Sequence, residues 1–463
     1  MKKTPSSTFV TALTLSLALL FAACSSPLSL NLNHTPDKDK EARSFYAVNI
    51  VTNKFYSINA EKLAEGEHCI VYADEKENVS HEAAEAIVRE YEANIYTQIT
   101  DAFGMFEDVD DNGKVILLLL DIIDGYTQSS YVAGFFQAYH LFKKSTYPYH
   151  YSNEADMLFL DTNPQQVGSE SFYSTIAHEL QHLINFSQTA FNDGGMEDTW
   201  IDEGLATAAE YVYNGHQKTR INFFNQDPYR SIKNGNNFFV WDGGWESGDG
   251  GWESGDGAVY DPVANYATAY LFFQWLRIHA HNGIGIYKDI IGSSYRDYRA
   301  VTEAAGSRID NSLGDWETLL RTWMLANAYN QVSGLLGYKG EIETKFHYFT
   351  EVSRKLAPGE GVFSPIALEI GGSFTGSDSG NIRYVELNTS SIEGEPDTLL
   401  MFNANSNNTD DSEIGYLVQG EEHSARGSLS VGRTLGEETE PALRGPFPID
   451  VPFNPDGTKR RRQ

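Results

Sequence analysis

An alternation of apolar and polar residues marks the chain after residue 44 and predicts β-strands. The runs FYAVNIV, KFYSINAEKLAEG and HCIVYAD, within residues 45–74, alternate as antiparallel strands do. Apolar residues then recur at helical spacing from His81 to Gly104, which predicts a helix. Val115–Leu120 is continuously apolar, as in a strand buried on both faces, and Asp156–Asp161 predicts a further strand.

Two helical patterns lie close together in the middle of the chain. The first carries an apolar stripe, and the second extends from Asp198 to Tyr213. Gly194-Gly195 separates the two and lets the chain turn back. The stripe consists of Ile176, Ala177, Leu180, Leu183 and Ile184. Further helical patterns at Tyr260–Leu276 and across residues 284–344 predict a helical subdomain.

The pattern changes again beyond Phe346, where short alternating strands with polar turns predict a small β-sandwich. Residues 437–463 contain several prolines and end in a basic run, which predicts a disordered tail. The expected fold class is therefore α+β. A domain of mixed sheet and helices occupies residues 45–345, and the β-sandwich occupies residues 346–436.

The N-terminus has the features of a bacterial lipoprotein signal peptide. Two lysines precede an apolar stretch, Phe9–Ala23, that is too short to span a bilayer comfortably. Small residues directly before Cys24 resemble a lipobox, in which the cysteine becomes the lipidated first residue. Residues 1–24 are then the signal peptide, and residues 25–44 a flexible tether to an outer membrane or the cell surface. An ordinary secretory signal cleaved near Ala23 would also export the protein.

The charge composition limits which macromolecules the protein is expected to bind. The formal net charge of −30 argues against a nucleic-acid partner, because phosphate binding needs clustered positive charge. Hydrophobic residues make up 41% of the chain, which is enough for a sizeable core. With Cys24 lipidated, Cys69 is the one remaining cysteine, so no disulfide framework is expected.

The strongest chemical signal is His-Glu-Leu-Gln-His at residues 178–182. On a helix His178 and His182 are four residues apart, so both rings project from one face and can bind one metal ion. Glu179 lies one step round the same helix, where a general base for a metal-activated water is expected. The pentapeptide alone is also compatible with an amphipathic helix that bears two surface histidines.

A second acidic cluster can complete this site. Trp-Ile-Asp-Glu-Gly at residues 200–204 puts Glu203 near the start of the second helix. A helix–turn–helix of this length can bring Glu203 beside His178 and His182. The result is a His2Glu site with an open fourth position for water.

These residues resemble the gluzincin zinc metallopeptidases, in which HExxH is followed by a ligand Glu inside a W-x-[ND]-E-G-[LF]-A segment. The run Trp200–Ala206 fits that segment. Between Phe45 and Gly283 the chain is similar, more closely, to the hyicolysin-type neutral metallopeptidases. The resemblance implies a zincin-like domain with a helical C-terminal subdomain, and protein or peptide substrates. It also implies a catalytic Zn²⁺ bound by His178, His182 and Glu203.

The resemblance further implies an oxyanion donor. In metalloaminopeptidases of this group a tyrosine that opens a downstream helix stabilises the tetrahedral oxyanion, and Tyr266 lies in a similar place. A buried helical tyrosine with another partner is the alternative. His279 and His281 are rivals, since thermolysin-like enzymes use a histidine for this task. Asp202 and Glu210 are candidate partners for the outer ring nitrogens of the histidines, or else solvated helix carboxylates.

Two other segments carry weaker signals. The run DVDDNG resembles the first half of a calcium loop, with Asp108, Asp110 and Asn112 as candidate Ca²⁺ ligands. Leu119 stands where such a loop needs a bidentate glutamate, so a turn rich in Asp and Gly is an equally good interpretation. By resemblance to gluzincins, residues 156–161 are an edge strand that pairs with extended substrate. An ordinary sheet strand is equally compatible.

Two further sequence runs are not assigned a function. One resembles a known motif by coincidence, and the other is interpreted as a loop. The run Gly194–Asp198, GGMED, echoes the motif that binds a free amino terminus in aminopeptidases. It follows HExxH instead of preceding it, which favours an endopeptidase. The duplicated GWESGDG at residues 244–257 is too short for a repeat architecture and is interpreted as a solvated loop.

The combined prediction is an exported, membrane-anchored zinc metalloendopeptidase that hydrolyses peptide bonds of extracellular proteins. Zn²⁺ is the expected cofactor, and Ca²⁺ is a second candidate. The alternative function is a surface adhesin or matrix-binding lipoprotein whose peptidase centre is vestigial or secondary. The lipid anchor and the C-terminal sandwich suit that alternative.

Overall fold

The computed structural model describes most of the chain between residues 41 and 406. The described residues are 41–126, 131–191, 195–236, 239, 262–345, 347–349, 356, 358–365, 380–387 and 398–406. The strands of the main sheet are β1 Ala42–Asn49, β2 Lys54–Glu65, β3 Cys69–Asp74, β4 Val115–Leu120, β5 Gly134–Phe136 and β6 Met157–Asp161. The alternating and apolar runs of the sequence therefore form strands as predicted.

Helices cover the sheet and continue beyond it. They are α1 His81–Glu90, α2 Tyr96–Phe103, α3 Glu170–Phe186, α4 Thr199–Asn214, α5 Lys218–Gln226, α6 Pro262–His279, α7 Gly285–Ile291, α8 Tyr298–Arg308 and α9 Trp316–Tyr329. The Ser80 side chain caps α1 by accepting a hydrogen bond from the amide of Ala83 at 3.1 Å. A single π-helical turn, Tyr91–Ile95, joins α1 to α2, so the helix predicted over His81–Gly104 exists with a local irregularity.

The order of strands in the main sheet is β1-β2-β3-β4-β6-β5. Antiparallel pairs join β1 to β2, β2 to β3 and β5 to β6, whereas β3, β4 and β6 run parallel. This order corrects one prediction. Residues 156–161 do not form an edge strand, because β6 lies between β4 and β5, and β5 is the edge on that side.

Strand β4 divides the interior into two layers. Val115, Leu117 and Leu119 belong to the large core on the helical face of the sheet. The alternate residues of β4 belong to a second core on the other face, and they are Ile116, Leu118 and Leu120. A strand buried on both faces, as the continuous apolar run predicts, is therefore confirmed.

A separate three-stranded antiparallel sheet follows the helices. Its strands are β7 Gly361–Pro365, β8 Ile382–Leu387 and β9 Thr398–Asn403, in the order β7-β9-β8. Leu400 and Phe402 join the main core, and Arg383 Nε donates to Glu317 Oε2 of α9 at 2.9 Å. Together with the main sheet and helices, this arrangement confirms an α+β fold with a zincin-like domain and a small β domain.

Several predictions fall on residues outside the described ranges. They concern the signal peptide with Cys24, nearly all of the tether, the duplicated GWESGDG run and the C-terminal tail. The tether was predicted to end at residue 44, whereas β1 already begins at Ala42. Among the described residues, no helix combines the length and apolar character that a bilayer span requires.

Candidate metal centre

Helix α3 holds both histidines of the HExxH motif in the protein interior. Ser169 caps its first turn by accepting a hydrogen bond from the amide of Phe172 at 3.2 Å. The apolar stripe of α3 packs into the main core, which fixes the rotation of the helix. His178 and His182 are 1% and 6% exposed, and their ring centroids lie 4.9 Å apart. The alternative of two surface histidines is therefore wrong.

Helix α4 brings the predicted third ligand to the two rings. Glu203 Oε2 lies 3.5 Å from His178 Nε2 and 3.8 Å from His182 Nε2. One potential ligand atom from each of these residues lies within 4.8 Å of the others. Tetrahedral ligands at zinc-like bond lengths are about 3.3 Å apart, so the three atoms have nearly the spacing that one ion requires.

The hydrogen-bonding state of these atoms also fits a metal ion. His178 Nε2, His182 Nε2 and both oxygens of Glu203 are buried with no hydrogen-bond partner among the described residues. Burying so many unsatisfied polar atoms at one point is costly unless a cation binds them. Two imidazoles and one carboxylate form a donor set that zinc binds, and the site fits that ion.

The outer nitrogens of both rings face carboxylates of α4. His178 Nδ1 lies 2.9 Å from Glu210 Oε1, and His182 Nδ1 lies 3.0 Å from Asp202 Oδ2. Burial disfavours the charged form of His178, but the carboxylates of Glu203 and Glu210 outweigh it and raise its pKa. Asp202 and Glu210 thus hold the rings so that each Nε2 points inward, the arrangement expected for metal-binding histidines.

Glu179 is buried directly beside this group. Its side chain is 0% exposed, and neither carboxylate oxygen has a side-chain hydrogen-bond partner in the described part of the chain. Burial raises the pKa of Glu179 to about 7, while His178 and His182 act in the opposite direction. The amide of Phe136, on edge strand β5, also lowers the pKa of Glu179. A carboxyl group with a pKa near neutrality can both accept and return a proton.

Tyr266 reaches the same point from α6. Gly204 allows the approach, because a Cβ atom there would lie 2.2 Å from Cε2 of Phe273, two turns along α6 from Tyr266. The Tyr266 ring centroid is 6.3 Å from that of His178. Burial, and next the charge of Glu203, raise the pKa of Tyr266 well above its ordinary value, so the hydroxyl keeps its proton.

The rival oxyanion donors lie elsewhere. His279 Nε2 pairs with the carbonyl oxygen of Gly337 at 2.8 Å, and the ring packs 4.9 Å from that of Trp275. His281 is exposed just beyond the end of α6. Of the three candidates, Tyr266 is the one that the fold brings to the histidines.

Two comparisons with known proteins agree with this geometry. Residues 143–227 match a family model described as "Predicted Zn-dependent protease (DUF2268)". The chain is also 31% identical over 318 residues to the neutral metalloprotease ShpI of Staphylococcus hyicus. Over these residues the chain therefore resembles metal-dependent proteases. That alignment covers 65% of this chain and 66% of the relative, so the chain spans just under two thirds of the length of ShpI.

The fold adds residues around this centre that the sequence did not indicate. Arg220 of α5 donates to Glu210 Oε1 at 3.0 Å, and its guanidinium carbon lies 4.8 Å from the centroid of the Tyr266 ring. Asn185 donates to Asp202 Oδ1 at 2.6 Å. Asn185 lies three residues after His182, so the HExxH helix contained a signal for it. Arg220 carried no local signal, because only the packing of α5 brings it near.

The GGMED run is more closely connected to the centre than its interpretation as coincidence suggests. Glu197 is 9% exposed and interacts with Asn185 and Asp202. Burial, and next the charge of Asp202, raise the pKa of Glu197 to about 8. Glu197 therefore belongs to the polar surroundings of the histidines, on the side of His182.

The structure also places the residues predicted to bind calcium. Asp108 and Asp110 lie together, and Asp156 from the start of β6 joins them, with one oxygen of each within 4.8 Å of the others. Asn112 Oδ1 instead accepts a hydrogen bond from the amide of Lys114 at 2.6 Å. Cys69 is a buried free thiol in β3, in agreement with the absence of a disulfide expected for it.

Proposed function

We propose that the protein is an exported, membrane-anchored zinc metalloendopeptidase that hydrolyses peptide bonds of extracellular proteins. The observation that carries the proposal is the convergence of His178, His182 and Glu203, with their inner ligand atoms buried and facing one another, beside the buried carboxylate of Glu179. A zinc ion bound by these three residues supplies Lewis acidity, which makes a water molecule acidic and polarises a carbonyl group.

The side chains around that ion divide the remaining chemistry. Glu179 takes the proton of the attacking water and later returns it to the leaving amine. Tyr266 donates its hydroxyl proton in a hydrogen bond to the oxygen on which negative charge develops. Glu210 and Asp202 orient the two imidazoles, and Arg220 and Asn185 hold these carboxylates in turn.

Cleavage within a polypeptide suits the sheet next to Glu179. Strand β5 is the edge of the main sheet, and Phe136 of β5 adjoins the Glu179 carboxylate. An extended peptide can add to an open strand edge through main-chain hydrogen bonds. Such a peptide would extend past Glu179 in both directions. An endopeptidase binds its substrate in this way, because it cleaves within the polypeptide.

Export and anchoring rest on the sequence of residues 1–44. The basic start, the short apolar stretch and the small residues before Cys24 support a lipoprotein signal. Replacement of Cys24 by Ala should release the protein from the membrane fraction and abolish incorporation of labelled fatty acid. Continued membrane association without incorporated label would contradict lipid anchoring.

One experiment separates this function from that of a surface adhesin with a secondary centre. The purified full-length protein is assayed for bound metal and for cleavage of casein and gelatin, with and without a chelator. We expect about one zinc per chain and cleavage that the chelator abolishes and added Zn²⁺ restores. Bound zinc without cleavage of any protein would favour the adhesin.

A further inference from the structure

Three aspartates from two parts of the chain meet at the amino ends of neighbouring strands. Asp108 and Asp110 lie in the turn before β4, and Asp156 directly precedes β6. The two strands run parallel and adjacent, and the carbonyl oxygen of Asp156 accepts a hydrogen bond from the amide of Ile116 at 3.0 Å. One carboxylate oxygen of each aspartate lies within 4.8 Å of the other two.

Asp156 is the most deeply buried of the three aspartates, and one of its carboxylate oxygens lacks a hydrogen bond from any residue that the structure describes. Asp156 is 0% exposed, and its Oδ1 accepts a hydrogen bond from the amide of Val109 at 3.2 Å. Its Oδ2 is buried and has no hydrogen-bond partner within the described ranges, and the same holds for Asp110 Oδ1. Two buried, unpaired carboxylate oxygens beside a third carboxylate repel one another unless a cation lies between them.

Arg43 supplies positive charge near this group. Arg43 is the cationic side chain that acts on Asp110, and its guanidinium is also bound to the carbonyl oxygen of Asn153 at 3.0 Å. Asp108 is held by the amides of Asn112 at 3.1 Å and Gly113 at 2.8 Å. These contacts fix the turn and place no cation between the three carboxylates among the described residues that contact them.

We propose that Asp108, Asp110 and Asp156 bind a calcium ion that ties the turn before β4 to the start of β6. The ligand set consists of oxygen alone, which favours a hard cation over zinc, and calcium accepts irregular sets completed by water. The turn has Leu119 where a continuous calcium loop needs glutamate. Asp156, distant in sequence, supplies the buried carboxylate that the local run lacks.

The expected role of this ion is structural. Strand β6 pairs with β4 and β5 and is followed by the zinc-binding helix α3. A cation at the amino ends of β4 and β6 removes the repulsion between the carboxylates and stabilises the folded state by mass action. Calcium should therefore raise the melting temperature of the protein and should not supply chemistry at the zinc centre.

The test uses the full chain with its zinc in place. Calcium binding is measured by titration calorimetry, and thermal unfolding is followed in EGTA, CaCl2 and MgCl2, with the zinc content determined in each buffer. We expect one calcium per chain and a melting temperature higher by about 3 °C at calcium a hundred times its Kd, with a smaller effect of magnesium.

Two variants make the result specific to these residues. Asp156→Asn should abolish the calcium-induced rise, yet melt in EGTA at or above the wild-type temperature, because a repulsive charge has been removed. Asp111→Asn changes an exposed aspartate of the same turn and should keep the full rise. If Asp156→Asn does not fold, Asp110→Asn takes its place. Absence of calcium binding to the wild type at about 1 mM, or a full rise in the Asp156 variant, would overturn the proposal.

Discussion

The helix pair α3–α4 and the loops that flank β6 bury their titratable side chains in different ways. His178 and His182 lie within α3, whose backbone amides are committed to the hydrogen bonds of the helix itself. Their outer nitrogens face side chains of the neighbouring helix, Glu210 and Asp202. By contrast, His140 lies in the short 3-10 helix Ala138–Leu141 before β6, and its Nδ1 accepts a hydrogen bond from a loop amide, that of Asn153, at 3.1 Å.

Asp161, at the end of β6, is also bound by backbone amides, as His140 is. Its carboxylate accepts hydrogen bonds from three backbone amides, those of Ile122, Asn163 and Gln165. Loop amides are free to satisfy a buried side chain, whereas helical amides beyond the first turn are not. A buried polar residue inside a helix therefore depends on a second element, or on an ion, for its partners.

The two kinds of partner have opposite effects on the histidines. Acidic partners outweigh burial and raise the pKa of His178, and its Nε2 is left pointing inward. Burial, and next the charge of Lys144, lower the pKa of His140 to about 3. Burial alone does not identify a metal-binding histidine. What marks His178 is the combination of an acidic partner on the outer nitrogen, a buried inner nitrogen and two further ligands beside it.

The largest expected effect is that of Glu179→Gln, which removes the proton acceptor of the helix pair. Peptidase kcat should fall by about 10³-fold or more, while zinc content and melting temperature stay near those of the wild type. Glu197→Gln is the matched control, because Glu197 is also buried with a raised pKa but lies beyond Asn185. Full activity of the Glu179 variant with zinc bound would contradict the proposed mechanism.

Tyr266→Phe should have the next largest effect. Loss of one oxyanion donor typically lowers kcat by about 10²-fold, and KM should change little because the ground state lacks the developing charge. Tyr270→Phe is the control one turn along α6, since the Tyr270 hydroxyl accepts from the amide of Gln217 at 2.9 Å instead. Equal losses in both variants would indicate a packing role for Tyr266.

Glu210→Gln and Asp202→Asn test whether the outer partners hold the zinc-binding rings. Each should weaken zinc binding by about 10- to 100-fold, measured by competition with a chromogenic chelator, and activity should return at saturating zinc. His140→Gln should leave zinc affinity unchanged, because His140 contacts loop amides. If zinc affinity is unaltered in both carboxylate variants, the carboxylates of α4 do not hold the zinc-binding rings. The helix pair would then not differ from the loops in this respect.

The smallest expected effect is a change in acid stability from His140. Its pKa is lowered in the folded state, so between pH 6.5 and about 3 the unfolded chain binds a proton that the folded chain does not. Stability should therefore fall as the pH decreases from 7. Urea unfolding at pH 7 and pH 5 should show that the wild type loses about 2 kcal/mol more than His140→Gln. Equal losses would mean that the ring of His140 becomes protonated without unfolding.

What the sequence determined by itself is local. The four-residue spacing of His178 and His182 is a property of any helix, and the apolar stripe beside them placed that helix in the core. The run Trp200–Ala206 pointed to Glu203 through its family pattern. Continuous apolarity over Val115–Leu120 likewise indicated a strand buried on both faces, because each of its residues had to avoid water.

Only the tertiary structure decided which distant residues meet. The edge of the sheet is β5 and not residues 156–161, because strand order depends on crossovers that strand sequences do not encode. Arg220 reaches Glu210, and Asp156 reaches Asp108, through the packing of α5 and of parallel strands. Local backbone geometry sets which residues of a helix or strand share a face. The packing of whole helices and strands against one another sets which residues those faces meet.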